Sequence, residues 1–103
     1  MKDLNQQQWR EAFAKDENAI ILDVRTEAEV AEGYIPNAKH LDIMNAGAFM
    51  EGANELDKDV HYFVYCKAGS RSAQACMIME SIGFKNTSNL MGGFSQWDGE
   101  TTI

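Results

Sequence analysis

Cysteine and histidine are both scarce in this chain of 103 residues. The two cysteines, Cys66 and Cys76, are too few for a disulfide scaffold. Because such a chain keeps its thiols reduced in the cytoplasm, we expect a cytoplasmic protein. The two histidines, His40 and His61, have no partner at metal-ligand spacing, so we expect no metal and no histidine base.

Positive charge is the second shortage. Nine Lys and Arg residues stand against sixteen Asp and Glu residues, which gives a net charge of −7. Nucleic acids and anionic membranes bind basic surfaces, so neither is an expected partner. No apolar run approaches the length of a membrane span, and residues Met1–Gln6 lack the apolar segment of a signal peptide. An anionic substrate would have to be attracted locally, against the field of the whole chain.

Apolar residues are plentiful enough, at 45%, to form a core, and we predict one domain over residues 1–103. The predicted strands are Ala19–Val24, His40–Ile43, Val60–Tyr65 and Thr87–Met91. The predicted helices begin at Gln6 after an Asn5 cap, at Thr26 (to Glu32), at Asn45 (to Leu56), at Ser70 (to Ile82) and at Phe94 (to Trp97). Thr26 and Glu29 have the spacing of a capping box. This alternation indicates an α/β sandwich with a mostly parallel sheet.

Cys66 stands where a predicted buried strand passes directly into a helix. The first N–H groups of a helix have no partner within the helix, and they form a cup that binds anions. A sulfur at the lip of that cup is stabilised as the thiolate, which is the nucleophilic form. We therefore predict that Cys66 is a catalytic nucleophile; a small, buried and inert residue is the alternative.

The residues that follow the cysteine are predicted to bind an anionic substrate. They are Lys67, Ala68, Gly69, Ser70 and Arg71. Gly69 suits a turn with positive φ, and Ser70 suits the helix N-cap, a donor to bound sulfur, or both. Arg71 and Lys67 are expected to clamp the anion and to lower the pKa of Cys66, with two solvated surface charges as the alternative.

Asp23 and Arg25 follow the neighbouring predicted strand, and the carboxyl ends of parallel strands meet at one edge of a sheet. We predict that both support the cysteine loop, with Asp23 accepting hydrogen bonds from the loop or from Arg71. An ordinary capped turn explains the two residues equally well.

Three further features are assigned to packing. Cys76 is expected in the core rather than as a resolving thiol. The six methionines are expected to fill gaps in the core, and Trp97 is expected to pack rather than to bind a ligand.

Four segments of the chain, taken in order, resemble the single-domain sulfurtransferases of the rhodanese-like family. Ile21–Arg25 is similar to the family's DVR segment, and Gly33–Ala38 is similar to its GHIPGA turn. Cys66–Arg71 resembles the active-site loop C-x-x-G-x-R, and Gly92–Trp97 resembles the closing GGxxxW. The segments span nearly the whole chain.

The resemblance implies a three-layer α/β/α sandwich around a mostly parallel five-stranded sheet. It also implies that the Cys66 thiolate takes a sulfane sulfur from thiosulfate or a related donor and holds it as a persulfide. The acceptor would be cyanide or a thiol, either a small molecule or a thioredoxin-like protein. No cofactor is implied.

Three positions depart from the family pattern. Tyr34 and Asn37 replace a usual histidine and a usual glycine in the turn. Lys67 stands where many members have arginine, and lysine keeps the charge but lacks the planar fork of the guanidinium group.

Two other functions stay open. Cdc25-like phosphatases and arsenate reductases also hold a cysteine in an N–H cup closed by arginine, but with a longer C-x5-R loop. Here four residues separate Cys66 from Arg71, and a shorter loop suits one sulfur atom better than a tetrahedral oxyanion. A low-activity persulfide carrier for a protein partner would use the same residues as the enzyme.

Overall fold

A computed structural model describes all residues from Met1 to Ile103 and contains one five-stranded sheet. Its strands are β1 (Lys2–Leu4), β2 (Ile20–Asp23), β3 (Lys39–His40), β4 (His61–Tyr65) and β5 (Asn86–Leu90). They lie in the order β1-β5-β4-β2-β3, and every neighbouring pair is parallel. The predicted α/β architecture is confirmed, and the sheet is parallel throughout.

Four α-helices and one short 3₁₀ helix connect the strands. They are α1 (Gln6–Ala14), α2 (Glu27–Ala31), α3 (Ala46–Glu55), α4 (Ser70–Ser81) and the 3₁₀ helix Phe94–Gln96. The predicted caps are present: Asn5 accepts from the backbone N–H of Gln8, and Thr26 and Glu29 form a reciprocal capping box. None of these helices has the length and apolar composition that crossing a membrane requires.

Helices cover both faces of the sheet, so the predicted three layers are confirmed. On one face, α3 and α4 bury a core that includes Leu22, Tyr62, Val64, Phe49 and Met79. On the other face, Trp9 of α1 packs in a second core with Ile21, Ile35, Phe63, Tyr65 and Leu90. Alternate residues of β4 therefore enter opposite cores, which explains why its apolar run is continuous.

The sequence did not predict β1. Its residues are polar or only half-buried, and they pair in register with Ser88–Leu90 of β5. The predicted strand His40–Ile43 is also wrong at its end, because the ladder stops at His40. Leu41 and Ile43 still donate backbone hydrogen bonds to the carbonyls of Asp23 and Val24.

The expectation that the methionines fill the core is wrong for most of them. Met79 is fully buried and Met50 is half-buried, whereas Met1, Met44, Met77 and Met91 are exposed. Methionine is a good helix former, which suits the exposed Met77 to the outer face of α4.

The two departures in the turn after α2 leave it folded. Asn37 adopts φ 69°, a left-handed conformation that asparagine tolerates better than most residues other than glycine. Tyr34 and Thr102 exchange two backbone hydrogen bonds of 2.9 Å, so the position of the family histidine is joined to the end of the chain.

The ends of β2 and β4 are joined by a buried polar network. The Tyr65 hydroxyl donates to Asp23 Oδ2 at 2.6 Å and accepts from the backbone N–H of Ile35 at 3.1 Å. Arg25 donates to both carboxylate oxygens of Asp23 and to the carbonyl of Gly33. Chain connections diverge between these two strands, so their carboxyl ends border the crevice in which α/β sheets bind ligands.

Replacing Tyr65 by phenylalanine should lower the free energy of unfolding by about 1–3 kcal/mol, because it leaves the buried N–H of Ile35 unpaired. Urea denaturation measures the loss. Tyr62→Phe is the matched control, since Tyr62 is equally buried but donates only to the carbonyl of Asp57. Equal losses in the two variants would contradict a special role for the Tyr65 network.

Candidate active site

Cys66 lies immediately after β4, at the carboxyl edge of the sheet, and only 1% of its surface is exposed. Its Sγ atom accepts a hydrogen bond of 3.0 Å from the backbone N–H of Gly69. The Ser72 hydroxyl lies 3.3 Å from the same sulfur and 3.1 Å from the carbonyl oxygen of Gly69, the two acceptors within reach of its proton. The sulfur therefore sits among donors at the start of α4, in the arrangement that stabilises a thiolate.

Those donors also set the pKa of the thiol. Burial by itself raises the pKa of Cys66, because a charged sulfur loses its hydration. Hydrogen bonds from the Ser72 hydroxyl and from the backbone N–H groups of Ser72, Gly69 and Ala68 outweigh burial, and the pKa of Cys66 falls below its ordinary value. Neither imidazole bonds the sulfur: His40 bonds the carbonyl of Arg25, and His61 bonds the hydroxyl of Ser88.

Gly69 gives the loop its curvature. It adopts φ 109° as the N-cap of α4, a conformation that favours glycine, and it aims its N–H at the sulfur. The expectation that Ser70 caps the helix is wrong: Ser70 is the first helical residue and is exposed. Ser72, one position beyond the predicted loop, is the serine that reaches the sulfur.

The carbonyl of Gly69 is held from the other side by Asn89 of β5. The Asn89 side-chain amide donates to the Gly69 oxygen at 3.2 Å and to Asp3 Oδ1 at 2.9 Å. The Ala73 N–H also donates to the Gly69 oxygen, in the first helical bond of α4. Asp3 lies on β1, so the strand that the sequence did not reveal contributes to the support of the cysteine loop.

The Gly92–Gly93 pair holds the other side of the loop. A Cβ atom at Gly93 would lie 2.5 Å from the carbonyl carbon of Lys67, so only glycine allows this approach. The residues after Gly93 then bind the loop directly, since the N–H groups of Phe94 and Ser95 donate to the carbonyls of Cys66 and Lys67 at 2.8 and 2.9 Å.

Arg71 does not contact Asp23, so that expectation is wrong. Its guanidinium group instead makes two parallel bonds to Glu29, at 2.8 and 2.9 Å. These bonds hold the pKa of Glu29 at about 2, so its carboxylate stays ionised at neutral pH. Asp23 is engaged by Arg25 and Tyr65, and neither of these residues belongs to the cysteine loop.

Lys67 and Ala68 are exposed on the outer side of the loop. Lys67 lines a surface pocket of about 200 Å³ together with Arg25, Glu29, Glu32, Phe94 and Ser95. Arg25 and Lys67 therefore border the same pocket, although Arg25 is bound to Asp23.

Cys76 is fully buried in the core between α4 and the sheet, as expected. Burial raises the pKa of its thiol to about 12, so it is protonated and a poor nucleophile at neutral pH. Trp97 packs edge-on against Trp9, as predicted from the sequence.

Three residues at this site were not found from the sequence: Ser72, Glu29 and Asn89. Ser72 carried a partial signal, because a second serine stands in the first turn of α4. Glu29 was predicted only as half of the α2 capping box, and Asn89 carried no signal because its partners are far away in the chain.

The sequence profile of the Rhodanese-like domain matches residues 6–100. The chain belongs to the rhodanese-like family. The putative sulfurtransferase YtwF of Bacillus subtilis is 39% identical over 101 residues, which cover 98% of this chain and 94% of the relative. The thiosulfate sulfurtransferase GlpE of Pseudomonas fluorescens is 32% identical over 83 residues, or 81% of this chain and 73% of the relative.

A solved rhodanese-like domain protein from Staphylococcus aureus has the same fold. The two structures superpose with a TM-score of 0.81 at 31% identity, over 97% of this chain and 94% of that one. The resemblance seen in the four sequence segments is thereby confirmed, together with the rhodanese-like architecture.

Ser72→Ala should raise the pKa of Cys66, because it removes a hydrogen bond that favours the thiolate. Alkylation of Cys66 by iodoacetamide at neutral pH should then slow a few-fold, and its pH profile should move to higher pH. Ser70→Ala is the matched control, since Ser70 is exposed and makes no bond to the sulfur. A profile that moves in the Ser70 variant but not in the Ser72 variant would contradict the assignment.

Proposed function

We propose that this protein is a sulfurtransferase in which Cys66 carries a sulfane sulfur as a persulfide. The observation that supports it best is a buried sulfur with a lowered pKa, held by the Gly69 N–H and the Ser72 hydroxyl. Such a thiolate is a nucleophile without a general base. We further propose that residues 1–103 act as one domain.

The first half-reaction loads the cysteine. With thiosulfate as donor, the Cys66 thiolate attacks the outer sulfur, the sulfur–sulfur bond of the donor breaks, and its electron pair leaves with sulfite. Cys66 then bears a persulfide, and the N–H groups of residues 67–71 hold its terminal sulfur. In the second half-reaction an acceptor thiolate or cyanide takes that sulfur and restores the Cys66 thiolate, which completes a double displacement.

The proposal also has support from the names of relatives. YtwF is called a putative sulfurtransferase, and GlpE is called a thiosulfate sulfurtransferase. We propose a small anionic sulfur compound as donor and a thiol, on a small molecule or on a thioredoxin-like protein, as acceptor. Both cysteines of the chain are free thiols, which suits the reducing cytoplasm as the place of action.

The size of the loop supports sulfur chemistry over phosphate chemistry. Four residues separate Cys66 from Arg71, and Arg71 is bound to Glu29 instead of standing free to clamp an oxyanion. We therefore place phosphatase and arsenate reductase activity behind sulfur transfer. A persulfide carrier for one protein acceptor would share the first half-reaction and differ only in the second.

Incubation with thiosulfate and cyanide should produce thiocyanate, and Cys66→Ala should abolish the product. Before cyanide is added, mass spectrometry should find the mass of one extra sulfur atom on Cys66. Cys76→Ala is the matched control and should keep the activity, because the pKa of Cys76, about 12, keeps this thiol protonated. Thiocyanate formation by the Cys66 variant, or aryl phosphate hydrolysis without thiocyanate, would refute the proposal.

A further inference from the structure

The cations around the cysteine loop are almost all neutralised by carboxylates. Arg25 pairs with Asp23 at 2.7 Å, and Arg71 pairs with Glu29 at 2.8 Å. Lys67 alone forms no ion pair, and the pocket that it lines also contains Glu32. Arg25, Arg71 and Lys67 are therefore matched by Asp23, Glu29 and Glu32, and Asp42 adds a further negative charge that acts on Arg71.

Glu29 occupies the guanidinium N–H groups of Arg71 to which an anionic donor would bind. Two parallel N–H···O bonds join the two groups, and a sulfonate would bind a guanidinium group through the same fork. The pair is only partly exposed, at 24% for the Arg71 side chain and 27% for that of Glu29. It is therefore less screened by water than a fully exposed surface ion pair.

The Glu29 carboxylate is also held by hydrogen bonds within its own helix cap. Its Oε1 atom accepts hydrogen bonds of 3.1 Å from the backbone N–H and from the hydroxyl of Thr26, in the capping box of α2. The hydrogen bonds from Thr26 would keep the Glu29 carboxylate in place. An anionic donor that displaced it from Arg71 would therefore have its negative charge next to that of Glu29. Glu29 is thus placed to compete with donors and cannot easily move away.

We propose that Glu29 is a specificity-determining residue, an internal competitor for Arg71 that disfavours dianionic donors such as thiosulfate and favours persulfide donors. The inference rests on the proposed sulfurtransferase function. A persulfide RS–SH needs no cationic clamp: the Cys66 thiolate attacks its outer sulfur, the donor's sulfur–sulfur bond breaks, and the electron pair leaves as RS⁻. Cys66 then carries the sulfur as –S–SH, so atoms and charge balance.

Glu29→Gln separates the charge of this residue from its capping role. The glutamine carbonyl still accepts from the Thr26 N–H, so α2 keeps its cap, while Arg71 loses its charged partner. The readout is the rate at which Cys66 gains one sulfur, followed by mass spectrometry without an acceptor. The donors are thiosulfate and cysteamine persulfide, whose ammonium group balances its persulfide charge at neutral pH.

The variant should lower the half-saturating thiosulfate concentration about fivefold, equivalent to about 1 kcal/mol, and leave the maximal rate nearly unchanged. With cysteamine persulfide the same constant should change by less than about twofold. The pH profile for alkylation of Cys66 should also move to lower pH, because an unpaired Arg71 stabilises the thiolate.

Two controls isolate the ion pair. Glu27→Gln makes the same change in net charge on the same helix, but Glu27 is exposed and has no bond to Arg71, so thiosulfate saturation should not change. In an Arg71→Ala background, Glu29→Gln should lose its effect on thiosulfate saturation, because no guanidinium group is left for the Glu29 carboxylate to occupy.

Sulfate, an unreactive dianion, gives a readout that does not depend on sulfur transfer. It should protect Cys66 from alkylation at lower concentration in Glu29→Gln than in the unaltered chain. An unchanged or higher half-saturating thiosulfate concentration in that variant would overturn the inference and leave the proposed function intact. If neither donor places sulfur on Cys66 in any form of the chain, the proposed function fails, and the sulfate measurement alone decides whether Glu29 blocks Arg71.

Discussion

The site depends on one constraint: the thiolate form of a buried sulfur must be stabilised by hydrogen-bond donors rather than by a cation in contact with it. Burial opposes the thiolate of Cys66, and the donors of Gly69, Ser72 and Ala68 reverse that effect. Backbone donors stabilise a charge only while the chain keeps them aimed at it. The left-handed turn at Gly69 and the close approach at Gly93 supply that rigidity, since a side chain at either position would strain or displace the loop.

Most charged side chains near the Cys66 sulfur form ion pairs with one another. Asp23 and Arg25 neutralise each other in the interior, where an unpaired charge would be costly, and Tyr65 adds a further donor to the same carboxylate. Glu29 and Arg71 form the second pair nearer the surface. Because both arginines are occupied, anion attraction is a smaller part of this site than the count of its basic residues suggests. The Cys66 sulfur is held mainly by neutral donors.

Most of the fold could be predicted from local patterns. The Asn5 cap and the Thr26 capping box mark helix starts to the residue, and the continuous apolar run before Cys66 identifies a strand buried on both faces. β1 escaped prediction because Lys2–Leu4 carries almost no apolar signal and is a strand only through its pairing with β5. The exposed methionines escaped for a related reason, since the hydrophobicity of a residue does not tell whether it faces the solvent: Met77 lies on the outer face of α4, and Met1, Met44 and Met91 lie outside the helices and strands.

The sequence by itself determined where Cys66 stands and how its loop is built, because a strand, a cysteine, a glycine turn and a helix are consecutive in the chain, and local geometry decides where their groups point. Only the tertiary structure decided which partners complete the site. Ser72 rather than Ser70 reaches the sulfur, Glu29 rather than Asp23 binds Arg71, and Asn89 holds the loop from β5. Glu29 and Asn89 reach across gaps of 42 and 20 residues. Contacts at such separations depend on how strands are ordered in the sheet, which no local pattern contains.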